Sequence, residues 1–170
     1  MNLRFSFSWV GLAVFALPML INIAYVIFPP VGAANEPAAI PRPLEITERV
    51  SRIVYLIAVT FLVSGEPVSR RSAALYIAAC FLILYYAVWI RYFAGGRNVA
   101  LLGKAFLFVP MPLAVFPVLY FLFAAVWLRN IPAAVTAVIF GAAHIAVSVR
   151  SADLRRKNAA VRCSAVGNSI

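Results

Sequence analysis

The sequence predicts an all-α integral membrane protein, a bundle of about five transmembrane helices, from three observations. Hydrophobic residues make up 65% of the 170-residue chain and charged residues only 12%, whereas a water-soluble domain of this size needs a more polar exterior. The mean hydropathy is +0.97. Long runs without any charge recur along the chain, which is typical of segments that cross a bilayer. We therefore expect the lipid bilayer to surround this protein.

The first span is predicted at 8–28, where the apolar run matches the roughly 20 residues that cross a bilayer. A cleaved signal peptide is the alternative, because small residues at 32–34 offer a cleavage site. However, the run is longer than the hydrophobic region of about 7–15 residues in a signal peptide. Cleavage would also place the basic C-terminal tail outside the cell. We therefore expect the first helix to stay.

The second span is predicted at 50–66 and is the shortest in apolar residues. Its charge-free core, IVYLIAVTFLVS, is shorter than the roughly 20 residues that a bilayer requires. It reaches that length if the Arg52 side chain extends toward the lipid headgroups. Glu48 precedes Arg52 by four positions, an orientation that favours helical ion pairs. We interpret this charged lead-in as a solvated, self-paired helix start and not as a catalytic carboxylate site.

Three further apolar runs predict the remaining spans, at 72–90, 105–128 and 131–149. The fourth run contains Pro110, Pro112 and Pro117. A proline removes one backbone donor and leaves the carbonyl four residues earlier without its helical partner. Helix four is therefore predicted to be kinked.

The distribution of basic residues predicts the orientation. Of the 15 Lys and Arg residues, eleven fall on one side of a five-span protein, in 42–52, 91–104 and the tail at 150–170. Cytoplasmic loops carry the excess of positive charge, so we expect the N-terminus outside and a short basic tail in the cytoplasm, in a multi-pass plasma-membrane protein. The basic residues behind the net charge of +10 are therefore interpreted as markers of cytoplasmic loops. They are not taken to indicate nucleic-acid binding. In the tail, Arg155, Arg156 and Lys157 are candidates for contact with anionic lipid headgroups.

Polar residues within the spans predict one candidate site. Asn22 and His144 lie on helices that run in the same direction, each roughly 6 Å past the centre of its span. Ser148 shares a helical face with His144, and Pro18 shares one with Asn22. Irregular backbone at membrane depth is tolerated where protein or water satisfies it. We therefore expect a polar pocket in the cytoplasmic half of the bundle, formed by Pro18, Asn22, Pro110, Pro112, Pro117, His144 and Ser148.

A ridge of small residues runs along the last helix, at Ala133, Ala137 and Gly141. Such rows allow helices to approach closely in a membrane, so the ridge is predicted to pack against another helix. The aromatic residues at the end of helix three are expected instead to form an interfacial belt: Tyr85, Tyr86, Trp89 and Tyr92.

Residues for catalysis are scarce. The sequence has no HExxH motif, no glycine-rich phosphate loop and no paired carboxylates on one helical face, so no metal or cofactor is expected. The sequence predicts an accessory or structural protein that acts through helix packing, as a homo-oligomer or with other membrane proteins. The alternative is a small-molecule carrier or channel component that uses the polar pocket. A membrane enzyme using Cys80 or His144 ranks last, because no acid is visible that could orient either residue.

Overall fold

The computed structural model describes residues 3–31 and 40–167, and the chain is mostly helical within them. These residues contain five α-helices, a short two-stranded sheet and one 3-10 turn at Val99–Leu101. The helices are α1 (Trp9–Ile27), α2 (Arg42–Phe61), α3 (Ala73–Ala94), α4 (Pro112–Trp127) and α5 (Ile131–Gly167), and the strands are β1 (Leu3–Phe5) and β2 (Leu62–Ser64).

Three of these helices are long and apolar enough to cross a membrane, at Trp9–Ile27, Ala73–Ala94 and Ile131–Asn158. The prediction of a mostly helical protein is confirmed, and these three helices support its prediction of membrane-spanning segments. α4 is equally apolar but has only 16 residues. α2 has its charged residues in its first half and its apolar residues in its second.

α2 begins earlier and ends earlier than the span predicted at 50–66. It starts at Arg42, with Pro43 in the first turn, where a missing backbone donor is tolerated. It ends at Phe61, because the next residues form β2 and pair antiparallel with β1. Hydropathy alone extended the helix through these residues, since apolar strand and helix residues look alike.

α4 begins at Pro112, whereas the sequence predicted a helix from residue 105. Pro112 suits the first turn of a helix, and Met111 before it takes a left-handed conformation with φ of 60°. Upstream, the chain makes a tight turn in which the Val109 N–H donates to the Phe106 carbonyl at 3.0 Å. Pro110 therefore lies outside the helix and does not free the Phe106 carbonyl, and only Pro117 lies inside α4.

The helices pack in the order α3, α4, α5 and α2, and α1 lies across them. α2 and α5 are antiparallel, since Glu48 contacts His144 at one end and Ala58 contacts Asn130 at the other. α1 approaches α2 closely at Gly11, where an added Cβ would lie 1.8 Å from the Val59 carbonyl oxygen.

The bundle has two distinct ends. The strand end contains β1, β2 and the turn between α4 and α5, where Arg129 pairs with Glu66. The loop end contains the start of α2 and the 95–111 segment. Arg91 fixes that segment by donating to the carbonyls of Leu101 and Lys104 at 2.7 and 2.9 Å.

The last helix continues well past the predicted span boundary at residue 149. The stretch predicted as a short tail, 150–170, is helical as far as Gly167. Arg156 and Lys157 are exposed on this extension. The side chain of Arg155 lies outside the described residues.

Candidate functional site

A cavity of about 290 Å³ lies in the half of the bundle nearer the loop end. All five helices and the 95–111 segment contribute to its wall. The residues that line it are Met19, Asn22, Tyr25, Arg52, Tyr85, Trp89, Leu102, Met111, Leu113, Ala114, Pro117, Phe121, Phe140, His144 and Ser148.

The structure brings four of the predicted pocket residues together around this cavity: Asn22, Pro117, His144 and Ser148. The other three lie elsewhere. Pro18 and Pro112 are fully buried against neighbouring helices, and Pro110 is exposed in the turn before α4. The pocket is therefore formed by side chains from separate helices, with Pro117 the one predicted proline that reaches it.

The carbonyl that Pro18 frees has a partner away from the cavity. Pro18 cannot donate to the Val14 carbonyl within α1. The Tyr120 hydroxyl of α4 donates to that carbonyl at 2.9 Å, in a buried position. The interruption of α1 thus provides a hydrogen bond between helices and not a wall of the pocket.

Asn22 pairs with Tyr85 and makes no direct hydrogen bond to His144. The Tyr85 hydroxyl donates to the Asn22 Oδ1 at 3.0 Å. The Asn22 Nδ2 has only a weak contact of 3.9 Å with the Met19 sulfur. The sequence assigned Tyr85 to an interfacial belt, but its side chain is buried and bonds to α1.

His144 is bonded to an acid that the sequence did not connect with it. Its Nδ1 lies 2.9 Å from the Glu48 Oε1. A carboxylate only accepts, so Nδ1 carries the proton in this hydrogen bond. Arg52 donates to the same Glu48 oxygen, and its guanidinium lies 5.3 Å from the Phe140 ring centre. Glu48, Arg52 and His144 therefore form one polar cluster between α2 and α5.

Glu48 lies in the charged first half of α2, ahead of the apolar residues of that helix. The hydrogen bond from His144 is the main cause of a lowered pKa at the Glu48 carboxyl, with smaller contributions from the charges of His144 and Arg52. Burial acts in the opposite direction but is outweighed. The site thus holds an ionised carboxylate between two basic side chains.

Glu48 was interpreted from the sequence as part of a solvated helix start. The ion pair with Arg52 is present, but the Glu48 side chain is only 13% exposed because it also packs against α5. A usable signal was present in the spacing, since Glu48, Tyr55 and Val59 share one helical face. Tyr55 and Val59 are each 1% exposed, so that face points to the core.

The aromatic residues at the end of α3 are mostly buried, and the predicted interfacial belt is wrong for them. Tyr85, Trp89 and Tyr92 form a cluster with Phe116, and Tyr25 of α1 packs on it with ring centres 5.3 Å from Trp89. Within the described residues, the buried Trp89 indole N–H has no hydrogen-bond partner. Helix three therefore supplies an aromatic wall to the cavity.

The small-residue ridge of α5 lies inside the chain. Ala133 and Ala137 are fully buried. An added Cβ at Gly141 would lie 2.4 Å from the Val118 Cγ1. The ridge is therefore buried inside the bundle, and at Gly141 the absence of a side chain allows α5 to approach α4 closely.

A second cavity, of about 340 Å³, lies at the strand end beside Ser8, Arg70 and Asn130. The Asn130 amide is fully engaged there. It donates to the carbonyls of Ala58 and Leu62 and accepts from the Ala133 N–H. Asn130 therefore caps the end of α2 and the start of α5, a structural role.

Cys80 is exposed on the outer face of α3, away from the cavity residues. In the stretches 3–31 and 40–167, no group of His, Cys, Asp and Glu residues is placed to hold a metal ion. No protein-family profile matches the chain, and neither the curated proteins nor the solved structures contain a significant match.

Proposed function

We propose that this chain is a multi-pass plasma-membrane protein whose loop-end cavity binds a small molecule, as a carrier or a channel component. The bundle crosses the membrane five times, with the N-terminus outside and the C-terminus in the cytoplasm. α2 and the short α4 complete the crossings begun by the three long apolar helices, and Pro117 bends α4 at the cavity.

The cavity itself is the observation that carries this proposal. Its volume of about 290 Å³ is close to the smaller pockets that hold organic ligands. Polar side chains within membrane-spanning bundles are costly and mark ligand or ion pathways. In this protein, five polar side chains from four different helices line the one cavity: Asn22, Arg52, Tyr85, His144 and Ser148.

The alternative predicted from sequence is an accessory protein that acts through helix packing, alone as a homo-oligomer or with other membrane proteins. That role requires a packing surface on the outside of the bundle. The ridge that was expected to supply it, Ala133, Ala137 and Gly141, is already buried inside the bundle. The geometry therefore favours the carrier or channel role.

The charges at the two ends support the proposed orientation. Arg42, Arg97 and Lys104 lie at the loop end, together with the basic extension of α5. An end rich in Lys and Arg is the cytoplasmic one, so the cavity lies in the cytoplasmic half. The exposed Arg156 and Lys157 would contact anionic headgroups there, at about 1 kcal/mol for each charge.

Cysteine labelling tests the cavity and the orientation together. We would replace Ser148 with cysteine after changing Cys80 and Cys163 to alanine, and add a water-soluble maleimide to vesicles of known orientation. Labelling of Ser148→Cys from the cytoplasmic side only is expected. Ser51→Cys is the matched control, because Ser51 is 7% exposed and does not line the cavity, so it should stay unlabelled.

Two outcomes would contradict the proposal. If Ser148→Cys is labelled from neither side, no aqueous route reaches the cavity. If it is labelled only from the outside, the orientation is reversed and the cavity does not open to the cytoplasm.

A further inference from the structure

The formal charge carried by the described lining residues is positive. The Arg52 guanidinium lines the cavity, and none of the described lining residues is acidic. Glu48 is the nearest acid, but its Oε1 already accepts from both Arg52 and His144. A ligand therefore meets basic groups, with the carboxylate held behind them.

Arg52, Asn22 and Ser148 offer hydrogen-bond donors to the cavity. The one amide acceptor, the Asn22 Oδ1, is taken by Tyr85 at 3.0 Å, which leaves the Asn22 Nδ2 available. Ser148 adds a hydroxyl. Buried donors without an acceptor are costly, so these three side chains are complementary to a ligand that carries acceptor oxygens.

The remainder of the wall is apolar. Leu113, Pro117 and Phe121 of α4 line one part of it, and Phe140 of α5 lines another. Met19 and Met111 add flexible side chains, which adapt to ligands of different shape. This part of the cavity suits a short hydrocarbon chain.

We infer that the cavity binds an amphipathic organic anion, a medium-chain carboxylate whose oxygens contact Arg52, Asn22 and Ser148 and whose chain lies on the apolar wall. This inference rests on the proposed function, since it names the ligand class of the same cavity. A carboxylate that accepts two or more charge-assisted hydrogen bonds is recognised through its charge as well as its shape.

The experiment uses Trp89 as the reporter, because it lines the cavity. Trp9→Phe and Trp127→Phe leave Trp89 as the single tryptophan in full-length protein in phosphatidylcholine nanodiscs. Contact quenching is then compared for three probes that share one brominated chain: 8-bromooctanoate, 8-bromooctan-1-ol and 8-bromooctylamine. A second protein, which retains only the 76% exposed Trp9, measures nonspecific partition into the bilayer.

After correction for partition, the brominated octanoate is expected to quench Trp89 at a concentration about tenfold or more below that of the alcohol, as charged hydrogen bonds of about 1.5–3 kcal/mol require. Asn22→Asp should abolish this preference by placing a carboxylate in the cavity. Asn98→Asp is the matched control, because Asn98 is exposed in the 95–111 segment and its substitution adds the same charge away from the cavity.

Arg52→Gln should also abolish the preference. If this variant does not accumulate, Asn22→Asp still decides the matter.

The outcomes separate the ligand class from the proposed function. Equal or tighter binding of the alcohol or the amine at Trp89 would overturn the anion inference and leave the binding cavity in place. Retained preference for the octanoate in Asn22→Asp would also overturn it. Quenching of Trp89 by none of the three probes would overturn both.

Discussion

Tyrosine hydroxyls connect the helices at the level of single residues. Tyr120 donates to the Val14 carbonyl, Tyr55 to the Phe121 carbonyl and Tyr85 to the Asn22 amide, all at 2.9–3.0 Å. In the interior of a bundle each hydroxyl needs such a partner. The first of these bonds is notable because Pro18 creates its acceptor, so a helix interruption and a tyrosine on another helix depend on each other.

Tyr120→Phe should lower the free energy of unfolding by about 1 kcal/mol, as for other hydrogen bonds between membrane helices. In a Pro18→Ala background the alanine restores a backbone N–H that can bond to the Val14 carbonyl, and the same tyrosine substitution should then change stability very little. Denaturant titration in mixed micelles would measure both. Equal losses in the two backgrounds would contradict the coupling between Pro18 and Tyr120.

Protonation of the Glu48 carboxylate is expected to make the stability of the folded protein depend on pH in the acid range. Its pKa in the folded protein is lowered from an ordinary value of 4.5, chiefly by the hydrogen bond from His144. A lowered folded pKa contributes stability that is present above pH 4.5 and is lost as pH falls through the folded value. The thermal midpoint in detergent should therefore decrease on acidification below about pH 4.5.

Glu48→Gln should lower stability at neutral pH and weaken this acid dependence. Glu45→Gln is the control, because Glu45 is exposed on the same helix and its loss should leave the wild-type profile. An acid profile of Glu48→Gln identical to that of the wild type would exclude Glu48 as its source.

At the scale of elements, the boundaries of α2 and α4 depend on neighbours more than on hydropathy. α2 ends where β2 finds a strand partner in β1, and Asn130 of a distant turn bonds the carbonyls of Ala58 and Leu62 at that end. α4 starts at Pro112 after a turn that includes two consecutive left-handed residues, Leu107 and Phe108. Neither boundary follows from the apolar content of the run alone.

The contact between α1 and α2 depends on the absence of a side chain at Gly11. An added Cβ would lie 1.8 Å from the Val59 carbonyl oxygen, and a backbone atom cannot move aside as a side chain can. Gly11→Ala should therefore lower the unfolding free energy by about 1–3 kcal/mol and reduce accumulation in the membrane. Gly103→Ala is the matched control, since nothing lies within 4 Å of its added Cβ. Equal stability of the two variants would contradict this close approach.

At the scale of the whole molecule, β1 and β2 pair at the strand end, and the candidate cavity lies near the loop end. α1 contacts α2 at Gly11 and reaches α3 at Asn22 and Tyr25. The cavity lies beside the second of these contacts, and polar side chains of separate helices line it. The basic residues of the loop end lie in the same half of the molecule as the cavity. The proposed orientation therefore implies that a ligand enters the cavity from the cytoplasm.

The sequence by itself predicted the helical class and its long apolar runs, and three helices are long and apolar enough to cross a membrane. It also singled out Asn22, His144, Ser148 and Pro117, because polar residues and prolines are exceptional in such runs. The depth of a residue along its helix follows from chain position, so the common level of Asn22 and His144 was accessible without a structure.

Only the tertiary structure decided which groups meet. The pairs His144 with Glu48, Asn22 with Tyr85 and Val14 with Tyr120 join residues far apart in the chain. The rotation of each helix about its axis is set by packing against several neighbours at once, and no single run encodes it. For the same reason, the sequence treated Glu48 as a surface charge and the α3 aromatics as a belt, whereas packing placed both beside the cavity.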